Sequence, residues 1–379
     1  MKEKIRTICF TLILFSISIG NLFTPIKHFS NKENRYLQDL PKFSYKSLIS
    51  NKFAKDFETY TTDQFMARDF WIGMKTMSDL SILKKDNGRV YFGKDFYLID
   101  KDEPIDEKQL EKNMAYISSF INNINREKNI AINILLIPSK SQVMGGKLPS
   151  YAPVVNEVEL VEELKVKLNL KLKPNLKVLD LISTLTNKNH EYIYYRTDHH
   201  WTSLGAFYGY EAYLKEKGLK PLSKEDFTIR QVTDKFLGTS YRKANLYFGQ
   251  ADKIHNYRPK IKLDYSLLIN GQVEANDIYD ESYLDKTDKY SYFFGGDKAL
   301  IEITTSVKNG KTIAIFKDSL ANSFLPFLMN HYENILVIDT RYLNISMTNL
   351  INERDIDEIL FLYNIQNLAQ EKSFIWFNK

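Results

Sequence analysis

Cysteine and histidine are both scarce in this 379-residue chain. Cys9 is the only cysteine, and it lies in an uncharged run near the N-terminus. The remainder of the chain can therefore form no internal disulfide and no thiolate metal site, and a cysteine protease is excluded there. Of the six histidines, His199 and His200 are adjacent, which makes their surroundings the first place to look for chemistry.

Clustered positive charge, low-complexity segments and internal repeats are also missing. The formal net charge is +5, but the lysines are interleaved with Asp and Glu along the whole length. A nucleic-acid-binding groove needs basic residues concentrated on one face. The composition therefore indicates an ordinary folded protein with no nucleic-acid partner.

The N-terminus has the composition of a membrane-spanning segment. Residues 7–26 carry no charge, and a helix needs roughly 20 apolar residues to cross a bilayer. Three basic residues precede the run: Lys2, Lys4 and Arg6. They predict a cytoplasmic N-terminus, with everything after Lys27 outside the cytoplasmic membrane. A cleaved signal peptide is the alternative, but the apolar run is long and residues 18–20 match a cleavage site poorly, so we predict an uncleaved anchor.

Beyond residue 104, strand patterns alternate with helix patterns. The predicted strands cover residues 130–137, 178–181, 311–316, 334–338 and 357–363. The predicted helices cover residues 107–125, 158–170, 203–217 (with Ser203 as a candidate cap) and 320–331. This alternation predicts a parallel α/β sheet with helices on both faces.

The pattern divides the chain into three parts. Residues 1–28 form the predicted anchor, and residues 29–103 form a connector with a helical stretch at 48–83 and a hairpin near 87–95. Residues 104–379 form the predicted catalytic domain. Within it, residues from about 218 to 309 are rich in Tyr, Thr and turn signals, which predicts a β-rich insertion.

Asp198 and His200 are spaced as a carboxylate and the imidazole that it orients. An Asp at the second position before a His can reach its ring only if the loop is bent or extended, because the two side chains diverge in a regular helix. Such a pair is half of an acyl-transfer site that uses serine as nucleophile. The other half requires a serine elsewhere in the chain.

Ser319 follows the predicted strand at 311–316 and precedes a predicted helix. In open parallel sheets, sites form where strands end and loops enter the next helix. A hydroxyl there needs an adjacent base, which His200 would supply, and backbone N–H groups of the helix start would bind an oxyanion.

Each of these residues also has a simpler interpretation. Asp318 or Ser319 could only cap the following helix. Asp198, His199 and His200 could bind a metal, but zinc needs three or four ligands and the other histidines have no motif spacing, so we predict no metal. Trp201 could pack beneath the loop or serve as a platform for a sugar ring.

Several motifs together resemble the bacterial DHHW proteins. Residues 197–202, followed by Gly205 and Ala206, resemble the signature of that family. Further motifs resemble its opening segment, first hairpin, middle motifs, nucleophile block and the segment after it: residues 30–43, 90–98, 236–240, 293–297, 316–323 and 338–342. The family is related to the alginate O-acetyltransferase proteins that work outside the cytoplasmic membrane, and both belong to the SGNH-hydrolase-like superfamily.

The resemblance implies an SGNH-hydrolase-like α/β fold and an extracytoplasmic O-acetyltransferase. Ser319, His200 and Asp198 would carry acetyl groups to hydroxyls of an exopolysaccharide or cell-wall glycan. A multipass membrane O-acyltransferase would supply the acetyl group, and no soluble cofactor is required. A carbohydrate O-acetyl esterase and a non-catalytic polysaccharide-binding assembly factor are the two alternatives.

The chain departs from the superfamily at the nucleophile. The usual Gly-Asp-Ser is Lys317-Asp318-Ser319 here, and the separate oxyanion residues are not identified by spacing. The remaining candidates for contact with substrate or oxyanion are Asn322, Gly295, Gly296, Arg341, Trp201 and His199. For Arg341, a salt bridge with Asp339 is the alternative role.

Overall fold

The computed structural model describes residues 2–30, 35–127, 130–168, 175–246, 248–275 and 277–378. Its strands are β1 (Phe29–Ser30), β2 (Arg35–Tyr36), β3 (Val90–Phe92), β4 (Leu98–Asp100), β5 (Ala131–Ile137), β6 (Leu176–Asp180), β7 (Phe227–Phe236), β8 (Asp252–Pro259), β9 (Tyr265–Ile269), β10 (Val273–Ala275), β11 (Leu300–Thr305), β12 (Thr312–Lys317), β13 (Asn334–Ile338) and β14 (Glu358–Asn364).

The α-helices are α1 (Lys2–Phe23), α2 (Tyr45–Ile49), α3 (Lys52–Asp63), α4 (Arg68–Ser81), α5 (Glu107–Glu127), α6 (Lys140–Val143), α7 (Glu157–Lys167), α8 (Ile182–Thr186), α9 (Ser203–Glu216), α10 (Thr239–Ala244), α11 (Leu325–Leu328), α12 (Met347–Asn352) and α13 (Ile365–Gln370). The chain divides into two compact units. One comprises Met1–Arg89 with Tyr241–Gly249, and the other comprises Val90–Ser240 with Gln250–Lys379.

The larger unit is built on one eight-stranded sheet of order β10-β9-β11-β13-β12-β14-β5-β6. The five strands from β13 to β6 are parallel, whereas β11, β9 and β10 continue the sheet antiparallel. The predicted β-rich segment therefore supplies three strands to the central sheet, and its other two, β7 and β8, form a separate antiparallel ribbon.

Continuous apolar runs form the central strands because both faces of the sheet are covered. Every residue of β14 is buried, and so are the last five residues of β12. Side chains alternate along each strand between two core clusters: Ile313 and Ile315 belong to one, and Ala314 and Phe316 to the other. The prediction of a parallel α/β sheet is confirmed.

The predicted helix at 320–331 is wrong. A 3-10 turn (Ser319–Ser323) is followed by the single-turn helix α11. Residues 320–329 are all buried. The segment is apolar because protein surrounds it on every side, and this pattern resembles the apolar stripe of a long helix. The cap expected at Ser203 is instead Thr202, whose side chain accepts from the backbone N–H of Gly205.

The smaller unit begins with α1, which has no buried residue and is long and apolar enough to cross a membrane. The helical stretch predicted at 48–83 is divided into α2, α3 and α4. The breaks fall at Asn51 and Ala67, whose φ angles are +58° and +53°. Left-handed residues cannot continue a right-handed helix, so the chain changes direction at both.

Candidate active site

The loop of residues 196–200 is fixed by buried polar groups. The carboxylate of Asp252 accepts hydrogen bonds from the backbone N–H groups of Arg196 and Thr197, at 2.8 and 2.7 Å. From the other side, the buried Lys140 ammonium donates to the carbonyl oxygens of Asp198 and Tyr195, at 2.5 and 3.1 Å. The loop is therefore held through its backbone, which leaves its side chains available for other contacts.

Asp198 and His200 meet within this loop, which is bent as the prediction required. Asp198 Oδ1 lies 2.5 Å from His200 Nδ1 and also accepts from the backbone N–H of His200, at 2.9 Å. Since a carboxylate only accepts, Nδ1 carries the proton and Nε2 is left as the acceptor. This is the tautomer that a general base needs.

The second carboxylate oxygen of Asp198 is held by the segment of residues 238–239. Oδ2 accepts from the backbone N–H and the hydroxyl of Thr239, at 2.7 and 2.9 Å. The preceding residue is Gly238, and a Cβ at that position would lie 2.2 Å from Asp198 Cβ. Only glycine permits this close approach, so Gly238 is what lets the segment 238–239 pack directly against Asp198.

The pKa of Asp198 lies well below its usual value. Burial by itself would raise the pKa, but the neighbouring His200 and His199 and the hydrogen bonds to both carboxylate oxygens outweigh it. Asp198 therefore stays ionised at neutral pH and stabilises a proton on His200.

Ser319 is placed by the end of β12 and by a cap. Asp318, the residue before it, accepts from the N–H of Leu320 at 3.0 Å and from the N–H of Asn364 at 2.8 Å. The cap ties the 3-10 turn to the end of β14, and Ser319 Oγ lies 2.8 Å from His200 Nε2. Asp318 thus has the capping role that was the simpler interpretation, and Ser319 also contacts the imidazole.

The structure therefore brings Asp198, His200 and Ser319 into one continuous chain of hydrogen bonds. Asp198 and His200 are almost fully buried. Such an arrangement lets the imidazole accept a proton from the serine hydroxyl, which is the requirement for nucleophilic catalysis by serine.

Tyr290 is a site residue that the sequence patterns did not identify. Its ring stacks on that of His200, with 3.7 Å between ring centres and 9° between ring planes. Its hydroxyl lies 3.1 Å from the carbonyl oxygen of Ser319 and donates to it. One side chain thus contacts both the ring of His200 and the backbone of Ser319. A lone tyrosine among 24 carries no motif, so the sequence offered no signal for it.

His199 and Trp201 point to opposite sides of the loop. His199 Nδ1 lies 2.7 Å from the Thr239 hydroxyl, and its side chain is 37% exposed. Trp201 is fully buried and donates from Nε1 to the carbonyl oxygen of Leu320 at 2.8 Å. The packing role of Trp201 therefore accounts for its position, whereas a sugar platform would need an exposed ring.

Lys317, Asp297, Asp339 and Arg341 form a cluster of two cations and two carboxylates beside the nucleophile. Lys317 Nζ lies 2.6 Å from Asp297 and 3.3 Å from Asp339. The guanidinium of Arg341 also lies within 2.9 Å of both carboxylates. Burial would raise the pKa of Asp297, but Lys317 and Arg341 hold it well below its usual range. The salt bridge expected as the alternative role of Arg341 is therefore present.

Asn322 is attached to this charge cluster. Its Nδ2 donates to Asp297 at 3.1 Å, and its Oδ1 is buried without a hydrogen-bond partner among the described residues. In a 3-10 turn, side chains three residues apart lie on the same side, so Asn322 shares a side of the turn with Ser319.

Gly295 and Gly296 form a tight turn before Asp297. Their φ angles are +65° and +87°, which favour glycine. The N–H of Gly296 donates to the carbonyl oxygen of Phe293 at 3.1 Å, so this N–H is used within the turn. The Gly295 carbonyl accepts from Lys298. The two glycines thus serve to aim Asp297 at the charge cluster.

Asp198, His199 and His200 have potential ligand atoms within 4.8 Å of one another. A metal would have to compete with contacts that are already satisfied. Nδ1 of His200 must keep a proton to bond Asp198, its Nε2 faces Ser319, and Nδ1 of His199 faces Thr239. The donor set therefore fits hydrogen bonding better than coordination.

Comparisons with known proteins agree with this architecture. A family model described as DHHW protein matches residues 158–338. A crystal structure of a DHHW family protein from Eubacterium siraeum superposes with a TM-score of 0.64 at 21% identity, covering 77% of this chain and 98% of that one. A structure of Bacillus cereus PatB1 with a sulfonyl adduct gives 0.64 at 22% identity, covering 76% and 99%.

No curated protein matches the chain. The matched residues 158–338 contain the Asp198 loop, the segment 238–239, Tyr290 and Ser319, so the region recognised by the family is the region that builds the site. Residues 158–338 of the chain are therefore similar to the DHHW protein family, and the chain shares the fold of the solved DHHW structure.

Proposed function

We propose that this protein is a membrane-anchored O-acetyltransferase that moves acetyl groups onto hydroxyls of an extracytoplasmic glycan through an acetylated Ser319. The observation that carries the proposal is the continuous hydrogen-bonded chain from Asp198 through His200 to Ser319. The family resemblance supports acetyl as the transferred group and a glycan as the acceptor.

In the first half-reaction, Ser319 Oγ bonds to the carbonyl carbon of the acetyl donor while His200 Nε2 takes the hydroxyl proton. The bond between the acetyl carbon and the donor's leaving group then breaks, and the leaving group takes that proton from His200. Asp198 stabilises the imidazolium that exists between these steps. In the second half-reaction, His200 Nε2 takes the proton of a sugar hydroxyl while the sugar oxygen bonds to the acetyl carbon. The bond from that carbon to Ser319 Oγ then breaks, and Ser319 takes the proton back from His200.

Asn322 is our candidate for stabilising the negative oxygen formed in both steps. Asp297 accepts a hydrogen bond from one N–H of the Asn322 amide, which turns the amide nitrogen toward the charge cluster. The second N–H would then be available to an oxyanion near Ser319. The Lys317 and Arg341 cations compensate the Asp297 charge, so the carboxylate does not repel the developing oxyanion at full strength.

The proposed acetyl donor is a multipass membrane O-acyltransferase. The apolar helix α1 would keep the site close to such a partner in the same membrane, and the donor would pass the acetyl group directly to Ser319. No soluble cofactor has a role in this scheme.

Replacement of Ser319 tests the mechanism directly. The Ser319→Ala protein should lose acetyl transfer to a glycan oligosaccharide by roughly 10³-fold or more, since the nucleophile is gone. Ser323→Ala is the matched control, because it removes a hydroxyl of the same turn that bonds Tyr290 and not His200. Mass spectrometry of the oligosaccharide, with a chromogenic acetyl ester as donor, measures the transfer. Full activity in Ser319→Ala would refute the acyl-enzyme.

The same assay separates the transferase from an esterase. A transferase yields acetylated oligosaccharide, whereas an esterase releases acetate to water without transfer. A sulfonyl fluoride provides an independent probe of the nucleophile, prompted by the sulfonyl adduct of the similarly folded Bacillus cereus PatB1. It should modify the wild-type protein and Ser323→Ala but not Ser319→Ala. A protein that neither transfers nor hydrolyses acetyl groups nor reacts with the reagent would be a non-catalytic assembly factor.

A further inference from the structure

The end of α1 is attached to the junction between α3 and α4. Asn21 Oδ1 accepts from the backbone N–H of Met66 at 2.6 Å. The side chain of Gln64 bonds both backbone groups of Lys27, accepting at 3.0 Å and donating at 2.9 Å. At Gly20 the contact with Met66 is so close that a Cβ would fall 2.3 Å from its sulfur. The junction therefore lies at the level where α1 ends.

Large apolar side chains are exposed on this junction and along α4. We call this surface the α4 apolar face. It consists of Phe65, Phe70, Trp71, Met74 and Met77, with exposed fractions of 37%, 50%, 45%, 50% and 36%. Phe70, Met74 and Met77 follow helical spacing, so they form one stripe, and Trp71 lies beside it. A contiguous exposed patch of this kind marks a surface that is covered in the functional protein.

The opposite side of α4 is already packed. Gly73 and Thr76 are buried, and the Thr76 hydroxyl donates to the carbonyl oxygen of Ala244 at 3.2 Å. In α4 the usual arrangement is therefore reversed: small residues pack against the protein, and the large apolar side chains are on the exposed side of the helix. Lys75, next to the stripe, is 65% exposed and pairs with Asp79. Trp, Phe and a flanking lysine are the side chains that bilayer–water interfaces favour.

We propose that the α4 apolar face lies in the outer interface of the lipid bilayer that α1 spans. This inference rests on the proposed membrane anchoring of α1. The bilayer is the occupant to which the geometry points, because the face begins at residues 65–70, directly beside the point where the spanning helix leaves the membrane. The apolar stripe from Phe70 to Met77 would extend for about 10 Å along the helix axis. This second attachment would fix the orientation of α4 relative to the membrane plane.

Fluorescence of Trp71 tests the proposal in the full chain. The protein is reconstituted into vesicles of phosphatidylcholine and phosphatidylglycerol that contain phosphatidylcholine brominated in the upper part of its acyl chains. Bromine at this depth should quench a large share of the emission. In a Trp376→Phe background, Trp71→Phe should lose most of that quenching, because the remaining Trp201 is buried inside the protein. Trp71 emission that is unaffected by brominated lipid would overturn the proposal.

A pair of charge variants shows whether the face itself makes the contact. Met74→Glu with Met77→Glu should abolish most of the Trp71 quenching, since two carboxylates would enter the interface. Thr59→Glu with Thr62→Glu adds the same charge at exposed positions of α3 outside the face and should leave the quenching unchanged. Equal quenching in both variants would mean that tethering alone brings Trp71 to the lipid, and the proposal would fall.

Cys9 distinguishes failure of this inference from failure of the anchor. It lies inside α1 and is the only cysteine, so a membrane-impermeant maleimide reports insertion of α1 in the same vesicles. A protected Cys9 with unquenched Trp71 means that α1 is anchored but the face is covered by a protein partner, a second copy or water. A labelled Cys9 means that α1 is not inserted, and both proposals then fail. Acetyl transfer by Ser319 is measured separately and is unaffected by either result.

Discussion

At the scale of residues, each ring nitrogen of His200, the proposed base, has one hydrogen-bond partner. His200 uses Nδ1 for Asp198 and Nε2 for Ser319, while its ring face is covered by Tyr290. Asp198 in turn has both oxygens engaged, by His200 and by Thr239. A ring held at both nitrogens and on one face has little freedom to rotate, and proton transfer depends on that orientation.

Tyr290 should act on the rate of the reaction through its ring and through its hydroxyl. Tyr290→Leu removes both the ring that covers one face of His200 and the hydroxyl that bonds the Ser319 turn, so kcat should fall because the imidazole loses its fixed orientation. Tyr290→Phe keeps the ring and loses only the hydroxyl, so its kcat should fall less than that of Tyr290→Leu.

The two rates are measured with the chromogenic acetyl ester. Equal losses of kcat in the two variants would contradict a role for the stacked ring.

At the scale of elements, buried polar groups join the carboxyl ends of neighbouring strands. Asp318 at the end of β12 accepts from Asn364 at the end of β14, and the Asn364 amide donates to Ser139, just beyond β5. Ser139 then donates its backbone N–H to Glu157 in the first turn of α7, at 2.9 Å. Ser319, the proposed nucleophile, therefore lies at one end of a network that spans three strands.

Glu157 should make the stability of this network depend on pH. Burial raises its pKa to about 7, although hydrogen bonds from Ser139 and Gln366 oppose the rise. The folded protein therefore holds the proton more tightly than the unfolded chain. The contribution of Glu157 to stability is complete below the unfolded pKa of about 4.3 and decreases as the pH rises to about 7.

The Glu157→Gln protein should not show this decrease. Its free energy of unfolding relative to wild type should rise between pH 5 and pH 8 by on the order of 2 kcal/mol. Urea unfolding in mild detergent, followed by tryptophan fluorescence, measures the difference. Glu159→Gln, on the exposed side of α7, is the matched control. A pH-independent difference between Glu157→Gln and wild type would contradict the burial argument.

At the scale of the whole molecule, the order of the parts along the chain implies a topology. Three basic residues precede the apolar helix α1, and both compact units consist mainly of residues C-terminal to this helix. The positive-inside rule then predicts that the proposed acetyl-transfer site lies outside the cytoplasm. An extracytoplasmic position also suits a protein that has no cysteine beyond α1 to be oxidised.

Cysteine labelling of intact cells tests this topology. In a Cys9→Ser background, Lys42→Cys, at an exposed position after α1, should react with a membrane-impermeant maleimide. Lys2→Cys should react only after the cells are lysed. Labelling of Lys2→Cys in intact cells would reverse the orientation. A mature protein in which Lys2→Cys is absent would mean that the segment is cleaved as a signal.

Patterns within single segments allowed much of the fold to be predicted. The apolar runs at residues 130–137 and 334–338 predicted strands that coincide with β5 and β13 to within one residue, because burial on both faces leaves a continuous signature. The same reasoning failed at residues 320–331, where burial on every side imitated a long helix. Pattern alone cannot separate these two causes of apolar spacing.

Local sequence was enough to establish the α/β class, the apolar N-terminal helix, and the pairing of Asp198 with His200, since each depends on residues that are close along the chain. Tertiary packing was needed to establish that Ser319 lies 2.8 Å from His200 and that Tyr290 stacks on its ring. It was also needed to establish that Asn322 is held by Asp297. These contacts join residues 25 to 119 positions apart, and their distances depend on how strands and loops pack in space.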